Sequence, residues 1–136
     1  MIVDTSALVA VLRAEEGADA IIRALFSERG FIPAPVIFEF HRVTSERFNE
    51  PSRPALDLLA QVLAQDVGII ALTDAECDHA ADLNQRLGSG NERGGKLNML
   101  DLMVFAVAMV RGLPILCTGV DFLAANAPLH PASRRG

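Results

Sequence analysis

Tryptophan and tyrosine are absent from this 136-residue chain, and aromatics make up only 5% of it. A nucleic-acid surface built on rows of exposed aromatic rings is therefore excluded. An excess of positive charge is also lacking: 12 Lys and Arg stand against 17 Asp and Glu, a net charge of −5. Tight, non-specific attraction to a phosphate backbone by bulk charge is excluded, although a bound divalent cation can reverse the sign locally. Cysteine is scarce. Cys77 and Cys117 lack zinc-ligand spacing and read as two reduced, buried thiols, one in a helix and one in a strand. No basic region precedes the apolar start MIVDTSALVAVL, which Asp4 interrupts, and Asp101 breaks the short apolar run 97–110. Neither segment reads as a leader or a membrane span, so a cytoplasmic protein is expected.

What is present is an ordinary globular composition, 51% apolar and 21% charged, in a length that suits one domain. Ile2 and Val3 read as a short strand that runs into a helix capped by Thr5 or Ser6. GADAIIRALFSERG has helical period, with Gly30 at its end, and FIPAP is a strand and turn. Pro35 opens a helix through VIFEFHRVTSERF, and ALDLLAQVLAQ forms another. VGIIALT is a strand, DAECDHAADLNQRLG a helix, SGNERGG a flexible polar loop, and KLNMLDLMVFAVAMV a helix capped by Asn98. PILCT is a buried strand. Such alternation predicts a three-layer α/β/α sandwich around a short, mostly parallel sheet. The domain is expected over 1–130, with a short strand at Leu129 and a disordered tail over 131–136.

Four acids stand where local chemistry gives them little to do. Asp4 ends the first strand, where ligands gather in open parallel sheets; it could equally cap the helix that follows. Glu39 lies on the helix after Pro35, with a surface pair to Arg42 as the plainer explanation. Asp101 falls three residues after Asn98, so it can complete a helix cap, yet Val104, Phe105 and Ala108 share its face. Asp121 follows the last strand and could cap the turn FLAAN. Brought to one rim, these carboxylates could not all ionise without compensation. Mg²⁺ or Mn²⁺ would supply it, acidify a bound water and stabilise charge on a phosphate under attack.

MIVDTSALVAVL, PAPVIFEF, KLNMLDLMVFAVA and LCTGVDF, in this order and separation, resemble the PIN-domain ribonucleases. The likeness runs from Ile2 to about Phe122, and the chain looks most like the small VapC toxins of bacterial toxin–antitoxin pairs. The resemblance implies a PIN-like fold and a metal-dependent endoribonuclease whose Asp4, Glu39, Asp101 and Asp121 bind Mg²⁺ or Mn²⁺. It implies that Ser6 supports the acids through its hydroxyl, that Asn98 flanks the third acidic motif, and that the protein forms a homodimer neutralised by a cognate VapB-type antitoxin. Many members carry a further Thr and Asp after the DF motif; here Ala125 and Asn126 occupy those places. Asn126 could still accept a hydrogen bond but carries no charge, which leaves the number of metal ions open between one and two; a one-metal site in the free protein, with substrate phosphate completing a second, fits this departure.

An acidic pocket also needs cations that hold RNA. Arg93 and Lys96 flank the glycine-rich loop beside the Asp101 helix and are the candidates for phosphate contacts. Arg42 and Arg47 read as a solvated face. His41, His79 and His130 are dispersed, with no spacing that suits zinc or a nucleophilic triad. Single-stranded or loop RNA is the expected substrate, since an extended backbone can enter a metal-lined groove. Two rival readings are an aspartyl-phosphate phosphatase that uses Asp4, which would want an Asp where Ser6 stands, and a PIN-like module that binds RNA or protein without cutting.

Overall fold

Short strands and helices alternate along the chain as the apolar period switches, with a polar cap residue at four of the helix starts, Asp4, Ser52, Thr73 and Asn98. The computed structural model describes residues 1–45, 50 and 52–133. Strand β1 (Ile2–Val3) is fully buried. Asp4 itself, in extended conformation, is the N-cap of α1 (Thr5–Leu12) and accepts from the Ser6 N–H. The cap therefore lies one residue before the expected Thr5 or Ser6, since Thr5 is already helical. Helix α2 (Ala18–Ser27) ends before Gly30, which opens β2 (Gly30–Pro33) rather than closing the helix. A Cβ on Gly30 would come within 3.1 Å of the Met1 side chain, so the small residue serves close strand packing.

Helix α3 (Ala34–Thr44) carries Pro35 in its first turn, where a missing N–H costs nothing. It ends at Thr44, short of the expected Phe48; Arg47 lies outside the described residues. Ser52 caps α4 (Arg53–Leu63), which leads to β3 (Val67–Ile70). Thr73 and Glu76 form a reciprocal capping box at the start of α5 (Asp74–Leu87), and Asn98 and Asp101 form another at α6 (Met99–Arg111). Gly112, in the left-handed conformation at φ 64°, ends α6 before β4 (Ile115–Leu116) and the single-turn α7 (Asp121–Ala124).

The sheet has the order β3-β2-β1-β4, with every pair parallel and helices on its flanks. Ile2, Val3, Leu8, Ile32, Val36, Phe40, Ile115 and Leu116 are completely buried and form the centre of the core. Each large side chain of this kind contributes about 1.5–3 kcal/mol through burial. Strands β1 to β3 step outward in one direction, and β4 then joins the other side of β1. The order thus reverses between β1 and β4, and the crevice outside their carboxyl ends is where such a sheet binds ligands. Among the described residues, no helix is long and apolar enough to cross a membrane.

Strand β4 is bonded on both sides. Toward β1, Ile2 N–H donates to Pro114 O and Asp4 N–H to Leu116 O. On the other side Ile115 N–H donates to Pro128 O, His130 N–H donates to Ile115 O, and Leu129 bridges to Ile115 as the expected short strand. The expected disorder beyond residue 130 does not extend to 131–133. Ser133 is buried; its hydroxyl donates to Ile115 O at 2.9 Å and accepts from Cys117 N–H at 3.1 Å. The buried Cys117 N–H has its partner in this hydroxyl, which is the physical reason the tail stays. His130 secures it further, with Nε2 against the Glu28 carboxylate and Nδ1 accepting from Ala132 N–H. Residues 134–136 lie outside the described residues.

Ser133→Ala is expected to cost about 1–3 kcal/mol and to speed amide exchange at Cys117 while the amides of β2 stay protected. Unchanged exchange at Cys117 would show that the tail does not hold β4.

Candidate active site

The four acids arrive at the reversal point from four separate elements. Asp4 closes β1 and is buried, only 6% exposed. Its Oδ2 accepts from the Ser6 hydroxyl at 2.6 Å and from the Ser6 N–H at 3.1 Å. Ser6 Oγ in turn accepts from Thr118 N–H at 3.0 Å, just past β4. One hydroxyl thus ties the carboxyl ends of β1 and β4 together and orients the Asp4 carboxylate. Burial pushes the Asp4 carboxyl above its ordinary value; the Ser6 hydrogen bonds oppose this, and the charge of Glu39 adds to it.

Asp101 is half-buried in the first turn of α6, where Asp101 N–H donates to Asn98 Oδ1 at 2.8 Å and Asn98 N–H donates to Asp101 Oδ2 at 3.0 Å. The helix-cap explanation holds, and the same carboxylate lies within electrostatic reach of the other three acids. Its pKa is raised to about 6, first by burial, against the Asn98 N–H, and then by the charges of Asp4, Glu39 and Asp121. That last set shows that four acids distant in sequence share one electrostatic field.

Glu39 is half-buried on α3 and makes no ion pair with Arg42 among the described residues, so the surface-pair explanation falls. Asp121 is exposed, and Val120 rather than Asp121 holds the cap position of α7. Its carboxylate is not spent on the cap. Asn126 is exposed with a left-handed φ of 57°, and its N–H closes the turn after α7 on Leu123 O. Asparagine tolerates that conformation better than most residues, so its backbone gives it a structural role apart from the acids.

Cys117 is buried beside Asp4, and burial followed by the Asp4 charge pushes its thiol up to about 12. A thiol so hard to ionise is inert. Cys77, expected to be buried, is exposed on α5. The polar loop SGNERGG after α5 is hydrogen-bonded at its base and within itself. Ser89 N–H donates to Leu97 O, Leu97 N–H donates to Leu87 O, and Asn91 Oδ1 accepts from the N–H groups of Arg93 and Gly95. Arg93 and Lys96 are thereby presented on a cavity of about 210 Å³ that also has Asp121 in its wall.

Two participants were not anticipated. Thr118 acts through its backbone N–H, which no side-chain pattern reveals. Arg86, in the last turn of α5, lines the same cavity as Arg93 and Lys96 but lies outside the loop that drew attention to them.

The donor chemistry suits a hard divalent cation: all four groups offer carboxylate oxygen, and their mutual repulsion is what such an ion relieves. Among the described residues, no group of three or more His, Cys, Asp or Glu side chains stands ready to hold an ion as placed. The carboxylates share a field without forming a closed coordination shell.

This has a consequence for stability. The folded pKa of Asp101, about 6, lies above the ordinary 3.8, so the folded protein holds a proton that the unfolded chain releases. Stability must therefore fall as pH rises through that window. In metal-free buffer, the thermal midpoint of Asp101→Asn is expected to gain on that of wild type as pH increases from about 4 to about 7. A gap that stays constant with pH would contradict the shared field.

Comparison with known proteins agrees with this fold. A family model described as the PIN domain matches residues 1–126. Ribonuclease VapC42 of Mycobacterium tuberculosis is 35% identical over 135 residues, which cover 97% of this chain and 98% of that protein. The crystal structure of Mycobacterium tuberculosis VapC20, described as a sarcin–ricin loop cleaving toxin, has a TM-score of 0.71 at 23% identity and covers 93% of this chain and 95% of that one. VapBC2 from Rickettsia felis, solved with a DNA fragment of its promoter, has a TM-score of 0.69 at 12% identity, covering 99% and 96%. Those two structures share the fold, while the family match and the curated relative carry the kinship. The chain belongs to the PIN-domain family and, within it, to the VapC type.

Proposed function

We propose that this protein is a metal-dependent endoribonuclease and the toxin of a toxin–antitoxin pair, held in check by a VapB-type antitoxin. The observation that carries the reading is kinship with a VapC ribonuclease over nearly the whole chain, together with a buried Asp4 held by Ser6 at the carboxyl end of β1. Mg²⁺ or Mn²⁺ would be held by these four residues and, when bound, supplies a lowered water pKa and a counter-charge for the phosphate. Ser6 fixes the Asp4 carboxylate, the Thr118 amide fixes Ser6, and Asn98 fixes Asp101, so the acids are oriented before substrate arrives. Arg93 and Lys96 hold phosphates of an RNA strand that is single or looped, whose backbone can enter the crevice. Hydrolysis forms a bond from water oxygen to phosphorus and breaks the bond to the 3′ oxygen, leaving a 5′-phosphate and a 3′-hydroxyl.

The toxin role and the antitoxin partner are supported by kinship with VapC42 and by the likeness to a solved VapBC assembly. A homodimer is part of the same reading. The phosphatase alternative loses its ground, since Ser6 is committed to Asp4 where a second carboxylate would be wanted. A PIN-like module that binds without cutting is favoured by one observation, the uncharged and exposed Asn126.

Cleavage of single-stranded RNA with Mg²⁺ or Mn²⁺ separates these readings. Wild type is expected to cut, Asp4→Asn and Asp101→Asn to lose cutting, and Ser6→Ala to lose about 10–100-fold, as groups that orient metal ligands usually do. If both Asp variants cut as well as wild type, the nuclease assignment fails.

A further inference from the structure

The cavity between the end of α5 and the start of α7 gathers cations in a chain that carries a net charge of −5. Arg86 enters it from the last turn of α5, and Arg93 and Lys96 enter from the following loop. Among the described residues, none of the three forms an ion pair with a carboxylate. Arg93 makes only a long contact, 3.4 Å, from its guanidinium to Gln85 O. Their placement is built into the fold. Gly88 bridges to Leu97 at the base of the loop, and a Cβ on Gly95 would stand 2.3 Å from Gly88 O, so the loop is pressed against the helix end. The opposite wall holds Asp121 and the small Ala124 and Ala125, which leave room for a ligand.

We propose that this cavity is a phosphate subsite for the RNA strand, and that Arg86 is a binding residue within it. The inference rests on the nuclease reading above, because it places the subsite against Asp121. Three cations converging on one cavity repel one another, as the neighbouring acids do with opposite sign, and the Asp121 carboxylate in the wall offsets only part of their charge. A phosphodiester strand satisfies both regions at once: the phosphate under attack sits at the acids, and a neighbouring phosphate sits among Arg86, Arg93 and Lys96. Arginine suits this task, since its planar fork can bind two phosphate oxygens together. The cations give position and affinity without sequence preference.

The test is fluorescence anisotropy with a short labelled single-stranded RNA, with Ca²⁺ in place of Mg²⁺ and a gel that shows the RNA intact. Each phosphate contact on a single strand contributes about 0.7 to the slope of log affinity against log salt. Arg86→Gln is expected to lower that slope by about 0.7, whereas Arg86→Lys and Arg53→Gln, the latter outside the cavity, keep the wild-type slope. A wild type that fails to bind, or an Arg86→Gln slope equal to wild type, overturns the subsite; in the second case the cavity is left for an acidic stretch of a protein partner. A protein that binds with the expected slope change but never cuts RNA upholds the subsite and sinks the nuclease reading. One that cuts with an unchanged slope does the reverse.

Discussion

Like charges held together partly out of water are the constraint on which the carboxyl rim of this sheet depends. Asp4 is buried, Asp101 is half-buried, and Glu39 and Asp121 act on them from two further elements. Nothing in a stability calculation favours such a gathering, because each charge makes its neighbours harder to ionise. The fold tolerates it by committing hydrogen bonds to individual members. Ser6 gives two to Asp4, and the Asn98 backbone gives one to Asp101. These hydrogen bonds offset part of the repulsion within the rim.

The sheet topology explains why these acids meet. A parallel sheet sends every strand end to one edge, and the helices that return along its flanks begin at that same edge. The reversal between β1 and β4 opens a crevice there, and the Asp4–Ser6–Thr118 hydrogen bonds close its floor. The tail contributes from behind, since Ser133 holds Cys117, the residue next to Thr118. Beside the acids, the α5–α6 loop carries a compensating set of cations, so the negative overall charge of the chain does not describe the surface a phosphate strand would meet.

Much of this was legible in the residues themselves. The order of strands and helices followed from the period of apolar positions, and the capping box at α6 from the spacing of Asn98 and Asp101. At Asp101 the two explanations do not compete, since a carboxylate that caps a helix can also lie in the field of other acids. What could not be read was carried by the backbone or by distant contacts. Gly88 pairs with Leu97 through backbone groups that every residue possesses, and the Ser133 hydroxyl meets backbone groups of residues 16 and 18 positions away, so neither a polar loop nor a tail announces these bonds in the sequence. Thr118 serves through its amide for the same reason. Cys77 was misplaced because α5 is polar along much of its length, and composition alone did not say which side met α6.

The most direct measurement is the titration of the Asp101 carboxyl carbon by NMR in metal-free protein, in wild type and in Glu39→Gln. The shared field predicts a wild-type midpoint near 6 that moves toward 3.8 when the neighbouring charge is removed. A midpoint already near 3.8, or one indifferent to Glu39→Gln, would contradict it.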